Sequence, residues 1–134
     1  MALNIHAIGL SDVGIQRTAN EDAFVLCPEE EFFAVADGMG GHASGQVAST
    51  VAVECLQKYI TELAKEPQHK FTFPVHAGAG PPERLLSNAI QWANERVFIE
   101  SMKNLELEGM GTTIVCAKGH GEFLILGHVG DSRV

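Results

Sequence analysis

The stretch Phe32–Leu63, FFAVADGMGGHASGQVASTVAVECLQKYITEL, changes its hydrophobic period partway along. Phe32–Ala36 is a short apolar run that stops abruptly at Asp37-Gly38. Short apolar runs bounded by turn residues have the pattern of partly buried strands. After the glycines, Val47, Ala48, Val51, Ala52, Cys55, Leu56, Tyr59, Ile60 and Leu63 recur at i, i+3, i+4 spacing. That spacing predicts an amphipathic helix from about Ser44 to Glu66, stopped by Pro67.

Working outward, Asn4–Leu10 and Ala23–Cys27 read as two further strands upstream. Downstream, Pro67–Pro82 holds four prolines, two histidines and two glycines and reads as an exposed loop. A second helix is expected from near Glu83, with Leu86, Ala89, Ile90, Ala93, Val97 and Phe98 as its buried stripe. Thr112–Ala117 and Glu122–Val129 flank Lys118-Gly119-His120-Gly121, a hairpin signal with two glycines available for positive φ. Strands, then two helices, then antiparallel strands predict an α+β layered fold and not a doubly wound parallel sheet. The chain stops at Gly130-Asp131-Ser132-Arg133-Val134, just after an apolar strand. It reads as a partial domain over residues 1–134, truncated at the C-terminus, whose exposed sheet edge invites self-association.

The composition is globular: 134 residues, 46% hydrophobic and 19% charged. A formal charge of −8 argues against a nucleic-acid surface and against adhesion to anionic membranes. No apolar run approaches the roughly 20 residues needed to cross a bilayer. Met1–Leu10 has no basic residue and does not read as a secretory signal. Cys27, Cys55 and Cys116 are odd in number, widely spaced and set among apolar neighbours. They read as reduced, buried thiols of a cytoplasmic protein.

Four clusters could carry chemistry: Ser11-Asp12-Val13-Gly14 with Arg17, Asn20, Glu21 and Asp22; Asp37-Gly38-Met39-Gly40-Gly41-His42; Gly109-Met110-Gly111-Thr112-Thr113; and Gly130-Asp131-Ser132-Arg133. Glu21 and Asp22 start one expected strand, and Asp37 ends the next. If the two form a hairpin, the three carboxylates share one edge of the sheet. Crowded carboxylates repel, and a hard divalent cation with oxygen ligands relieves that repulsion. The glycines after Asp37 leave backbone carbonyls approachable as further ligands. Arg17 offers a planar fork suited to a phosphate dianion. Taken singly, each acid reads more simply as a solvated charge at a turn end; it is their joint placement at strand ends, beside glycine runs and Arg17, that points to a site.

Other residues read as structural. His69 and His76 lie in the proline-rich loop without a second pair at ligand spacing. Trp92 and Phe98 read as packing residues, Glu29–Glu31 as a solvated turn and His42 as a helix-start residue. Gly38–Gly45 lacks the Gly-Lys-Ser/Thr ending of a nucleotide phosphate loop.

Together, Arg17-x-x-x-Glu21-Asp22, Asp37-Gly38-x-Gly40-Gly41, Gly111-Thr112-Thr113 and Gly130-Asp131-Ser132-Arg133 resemble the opening motifs of the metal-dependent Ser/Thr protein phosphatases (PPM, protein phosphatase type 2C). The form Asp-Gly-Met-Gly-Gly-His resembles the bacterial branch. The likeness runs from about Asp12 to Arg133 and covers the amino-terminal half of such a domain. It implies a layered α-β-β-α sandwich of antiparallel sheets flanked by helices, with two Mn²⁺ or Mg²⁺ ions at one end. It further implies that Asp37 bridges the metals, that the Gly38 carbonyl binds one of them and that Glu21 ligates the other. Asp22 would hold a metal-bound water, Arg17 would clamp the substrate phosphate, and Asp131 would sit near a third, weaker metal position. The implied reaction is hydrolysis of phosphoserine or phosphothreonine on proteins by a metal-activated water, with a Ser/Thr kinase as natural counterpart. Some members carry a proton-donating His where this chain has Met39, and the family's further acidic ligands lie downstream of Gly-Asp-Ser-Arg. A non-catalytic phosphoprotein- or partner-binding module lacking the complete metal site is the rival expectation. An unrelated metal hydrolase with a similar acidic cluster is a third.

Overall fold

The computed structural model describes residues 4–41 and 43–134, so His42 and the first three residues lie outside the described residues. Five strands and two helices follow in the order β1 (Asp22–Cys27), β2 (Phe32–Met39), α1 (Ser44–Thr61), α2 (Pro81–Ser101), β3 (Gly111–Thr112), β4 (Ile114–His120) and β5 (Phe123–Val129). The strands form one antiparallel sheet in the order β1-β2-β4-β5, with short β3 pairing the far end of β2. Both helices pack on the same face, α1 over β1 and β2 and α2 over β4 and β5. The α+β layering expected from the sequence is present, and the described residues supply one sheet and one helix layer of it.

Strand β2 shows how the layers sort side chains. Phe32, Ala34, Ala36 and Gly38 turn toward the helices and are buried, while Val35, Asp37 and Met39 turn to the open face. Small residues at 34 and 36 let α1 approach closely, through Ala48 and Ala52, which are also buried. Phe32 and Leu56 are fully enclosed and anchor this core, together with Tyr59, Leu86, Ala89, Ile114 and Cys116. Cys27, Cys55 and Cys116 are free thiols; burial pushes Cys116 up to about 12, which keeps it protonated and inert.

The structure corrects several element boundaries. Asn4–Leu10 is not a strand. Ile8 and Leu10 are 97% and 91% exposed, so this apolar run gains no buried face, and it joins no ladder. Helix α1 ends at Thr61, earlier than Glu66. The Thr61 hydroxyl donates back to the Gln57 carbonyl, and a separate 3-10 turn, Leu63–Lys65, carries the chain onward. Helix α2 starts earlier than expected because Pro81 and Pro82 occupy its first turn, where the missing N–H groups are no loss. The terminal hairpin turns at Gly121, φ 63°, with the strands reaching His120 and resuming at Phe123. Among the described residues no helix is long and apolar enough to cross a membrane.

Candidate metal centre

The hairpin register carries the site. Asp22 stands opposite Asp37, so the start of β1 and the end of β2 lie side by side, as the sequence argument required. Just past the ladder, the Gly38 N–H donates to the Glu21 carbonyl at 3.0 Å. On the other side of β2, Thr113 holds both backbone groups of Asp37. Its N–H donates to the Asp37 carbonyl (2.9 Å), and its hydroxyl accepts from the Asp37 N–H (3.2 Å). Asp37 is therefore fixed by main-chain bonds while its carboxylate stays exposed.

Arg17, Glu21, Asp37, Gly38 and Asp131 line one cleft of about 330 Å³, together with Met39, Gly40 and Thr113. The cleft sits where β2 leaves the sheet and where the chain turns after β5. Arg17 is 70% exposed and its Nη1 lies 3.8 Å from Glu21 Oε2, while the Glu21 side chain is only 18% exposed. Such a loose contact leaves the guanidinium free to swing toward an incoming anion. Asp22 is not in this cleft. It lines a larger groove, about 510 Å³, on the open face of the sheet. Its pKa is raised, first by partial burial and then by the charge of Asp37.

Glu21 is the most informative residue. Its Oε1 is buried and has no hydrogen-bond partner, alone among buried side-chain polar atoms of the described residues. A buried, unsatisfied carboxylate oxygen is costly, and Glu21, which holds one against Gly45 while lining an acidic cleft, suits a cation that would relieve that cost. Two glycines make the space. A Cβ on Gly45, in the first turn of α1, would overlap Glu21 Oε1 and stand 2.8 Å from its Cδ and 3.1 Å from the Gly38 carbonyl carbon. A Cβ on Gly38 would in turn strike the Gly45 carbonyl and stand 2.8 Å from the Glu21 oxygen of the main chain. The donor set is thus two carboxylates and an approachable carbonyl, with Asp131 at the rim. All are hard oxygen ligands of the kind Mn²⁺ and Mg²⁺ prefer. Among the described residues no three His, Cys, Asp or Glu side chains converge closely enough to cage an ion unaided. The residues fit a cation held partly by water and backbone, not an all-protein cage.

The profile of the protein phosphatase 2C family matches residues 15–134. The chain belongs to that family. The serine/threonine phosphatase stp of Listeria monocytogenes serotype 4b is 36% identical over 132 residues, covering 96% of this chain and 48% of the relative. The serine/threonine protein phosphatase PstP of Mycobacterium tuberculosis is 34% identical over 123 residues, 92% of this chain and 21% of the relative. Among solved structures, the M. tuberculosis phosphatase PstP/Ppp superposes with a TM-score of 0.74 at 32% identity, covering 92% of this chain and 46% of that one. The PstP catalytic domain in complex with two manganese ions gives 0.71 at 33% identity, covering 92% and 47%. The chain spans about half the length of the stp relative it matches and less of the longer PstP.

Sequence reasoning gave roles to five of the eight residues lining the cleft, noted Met39 for the proton it cannot donate, and quoted Gly40 and Thr113 in motifs without assigning them a role. It also missed Gly45. A glycine in the first turn of a helix costs stability unless something approaches it closely, and that was the available signal.

Proposed function

We propose that this chain supplies the substrate-phosphate clamp and half of a binuclear metal site for hydrolysis of phosphoserine and phosphothreonine on proteins. The buried, unpartnered Oε1 of Glu21 beside Asp37 and the Gly38 carbonyl is the observation that carries this reading. In this reading Asp37, Glu21 and the Gly38 carbonyl would hold the two ions, the carbonyl serving one and Glu21 the other, and Asp131 would serve a weaker third position. Mn²⁺ is the favoured ion, since a similar catalytic domain is described with two manganese ions; Mg²⁺ has the same preference for oxygen ligands. Bound there, the cations supply Lewis acidity that activates water near neutral pH and neutralises phosphoryl charge.

The chain's own residues do the rest. Arg17, exposed at the cleft mouth, binds the phosphoryl oxygens with two parallel N–H donors. Asp22 lies outside the cleft, opposite Asp37 on the neighbouring strand, and would reach the site only through an intervening water. Thr113 and the β1–β2 ladder hold Asp37 still, so no reorganisation is needed when charge develops on the phosphate. Met39, exposed at the cleft, cannot donate a proton, so the leaving oxygen must take its proton from another group. A phosphoprotein substrate belongs to the same proposal, supported by relatives named serine/threonine phosphatases; a Ser/Thr kinase counterpart and a cytoplasmic setting extend it.

The test is hydrolysis of a phosphothreonine peptide with Mn²⁺, with and without chelator, by the wild-type chain and Asp37→Asn. Activity dependent on Mn²⁺ and abolished by Asp37→Asn is the expected result. Activity surviving both treatments overturns the assignment. A second reading is favoured by the absence of three converging ligand side chains among the described residues. On that reading the chain binds phosphoprotein without turnover. Saturable phosphopeptide binding with no hydrolysis at any Mn²⁺ concentration would select it.

A further inference from the structure

Thr113 lies between β3 and β4, is buried, and makes three contacts with one hydroxyl and one amide. Two of them clamp the backbone of Asp37, as described above. The third leads away from β2: Thr113 Oγ1 lies 2.6 Å from Ser132 Oγ. Ser132 adjoins Asp131, which lines the same cleft as Asp37. The turn bearing both begins at Gly130, whose φ of 96° suits glycine. A Cβ at Gly130 would stand 2.8 Å from Thr113 Cγ2, so the turn seats directly on this threonine. The Arg133 guanidinium closes the turn by donating to the Gly130 and Ser132 carbonyls at 3.2 and 3.1 Å.

One buried hydroxyl therefore joins the main chain of Asp37 to Ser132, the neighbour of Asp131, from segments far apart in sequence. We infer that Thr113 is a positioning residue which, through Ser132, sets Asp131 relative to Asp37 and so couples the weaker third position proposed at Asp131 to the site at Asp37. The hydroxyl has one proton and two lone pairs. One lone pair accepts from the Asp37 N–H, and the remaining capacity meets Ser132. A displacement of the Asp131 turn is transmitted to the Asp37 main chain through two hydrogen bonds in series, of 2.6 and 3.2 Å, without passing through either carboxylate. The inference rests on the proposed metal site for its consequence, but the coupling itself is a property of the protein alone.

The experiment separates the two. In metal-free protein, nuclear magnetic resonance reads the Asp37 amide in wild type, Thr113→Val, Thr113→Ser and Ser132→Ala. Loss of the Thr113 hydroxyl should speed exchange of that amide at least tenfold, and Thr113→Ser should restore it. Ser132→Ala, which leaves the Asp37 acceptor in place, should still shift the Asp37 amide resonance and lower its protection two- to fivefold. Mn²⁺ titration of the same proteins should show three- to tenfold weaker binding for Ser132→Ala and wild-type binding for Thr113→Ser. An Asp37 amide that ignores Ser132→Ala overturns the coupling, whether or not Mn²⁺ binds. A coupled amide in a wild-type chain that takes up no Mn²⁺ supports the coupling and refutes the metal reading. Should Thr113→Val fail to fold, the partly exposed Ser132→Ala decides the matter.

Discussion

Replacing Glu21 by Gln should reverse the order of stability between metal-free and metal-loaded protein. Gln keeps the shape of Glu, removes the charge and can turn an N–H donor toward the backbone. In the metal-free chain the buried Oε1 has no partner. An unsatisfied buried acceptor costs about 1–3 kcal/mol, and relieving part of that should stabilise the variant by about 1 kcal/mol. For a chain of 134 residues this corresponds to a melting temperature raised by about 3–5 °C. With Mn²⁺ at a hundred times its Kd, wild type should gain about 2.7 kcal/mol. If losing the charged ligand weakens Kd a hundredfold, the variant at the same concentration gains about 0.4 kcal/mol. Wild type then becomes the more stable protein by about 1 kcal/mol. Calorimetric scans in chelator and at rising Mn²⁺ measure both limbs. A Glu21→Gln variant less stable than wild type in chelator, or one that Mn²⁺ stabilises as much as wild type, refutes the reasoning. So does a wild-type chain that Mn²⁺ fails to stabilise.

Gly45→Ala should lower Mn²⁺ affinity at least tenfold, because the new methyl displaces Glu21, even though Ala favours a helix by about 1 kcal/mol; titration calorimetry measures it, and adding Glu21→Asp, which retracts the carboxylate, should recover part of the loss. Asp22 has its pKa raised above 3.8, so the folded state binds the proton more tightly than the unfolded chain. Its contribution to metal-free stability therefore falls as pH rises from 3.8 through the folded value. Asp22→Asn should stabilise the metal-free chain at pH 7 by roughly a few tenths of a kcal/mol and leave it unchanged near pH 3, read as urea midpoints. The open face of the sheet exposes Phe24, Val35, Leu124 and Leu126, so light scattering should detect self-association that Val35→Lys with Leu126→Lys suppresses. A wild-type chain that stays monodisperse and monomeric contradicts this.

Local chemistry made much of the fold legible. The switch from a strand run to a 3.6-residue period after Asp37 located β2 and α1 because each element writes its burial into its own spacing. Asp37-Gly38, where the apolar run ends although β2 itself continues to Met39, and the acidic pair at Glu21-Asp22 were readable as one site because an antiparallel hairpin has only one way to bring a strand's start beside its neighbour's end. Asn4–Leu10 shows the limit: an apolar run is a strand only if a partner edge and a buried face exist for it, and neither is local information. The end of α1 was overestimated for a similar reason, since the apolar stripe continues past Thr61 into a 3-10 turn that the stripe alone cannot distinguish from helix.

The motifs, their order and the class of ligand they favour were thus written in residue types and short spacings. What the tertiary structure decided is which groups meet across the layers. Gly45 touches Glu21 only because α1 descends onto the end of the hairpin. Thr113 grips Asp37 only because β3 and β4 pair with β2 from seventy-six residues away. Asp131 faces the same cleft only because the turn after β5 seats on that threonine. Contacts between distant segments depend on packing the whole sheet against its helices, and no window of sequence short enough to read contains both partners.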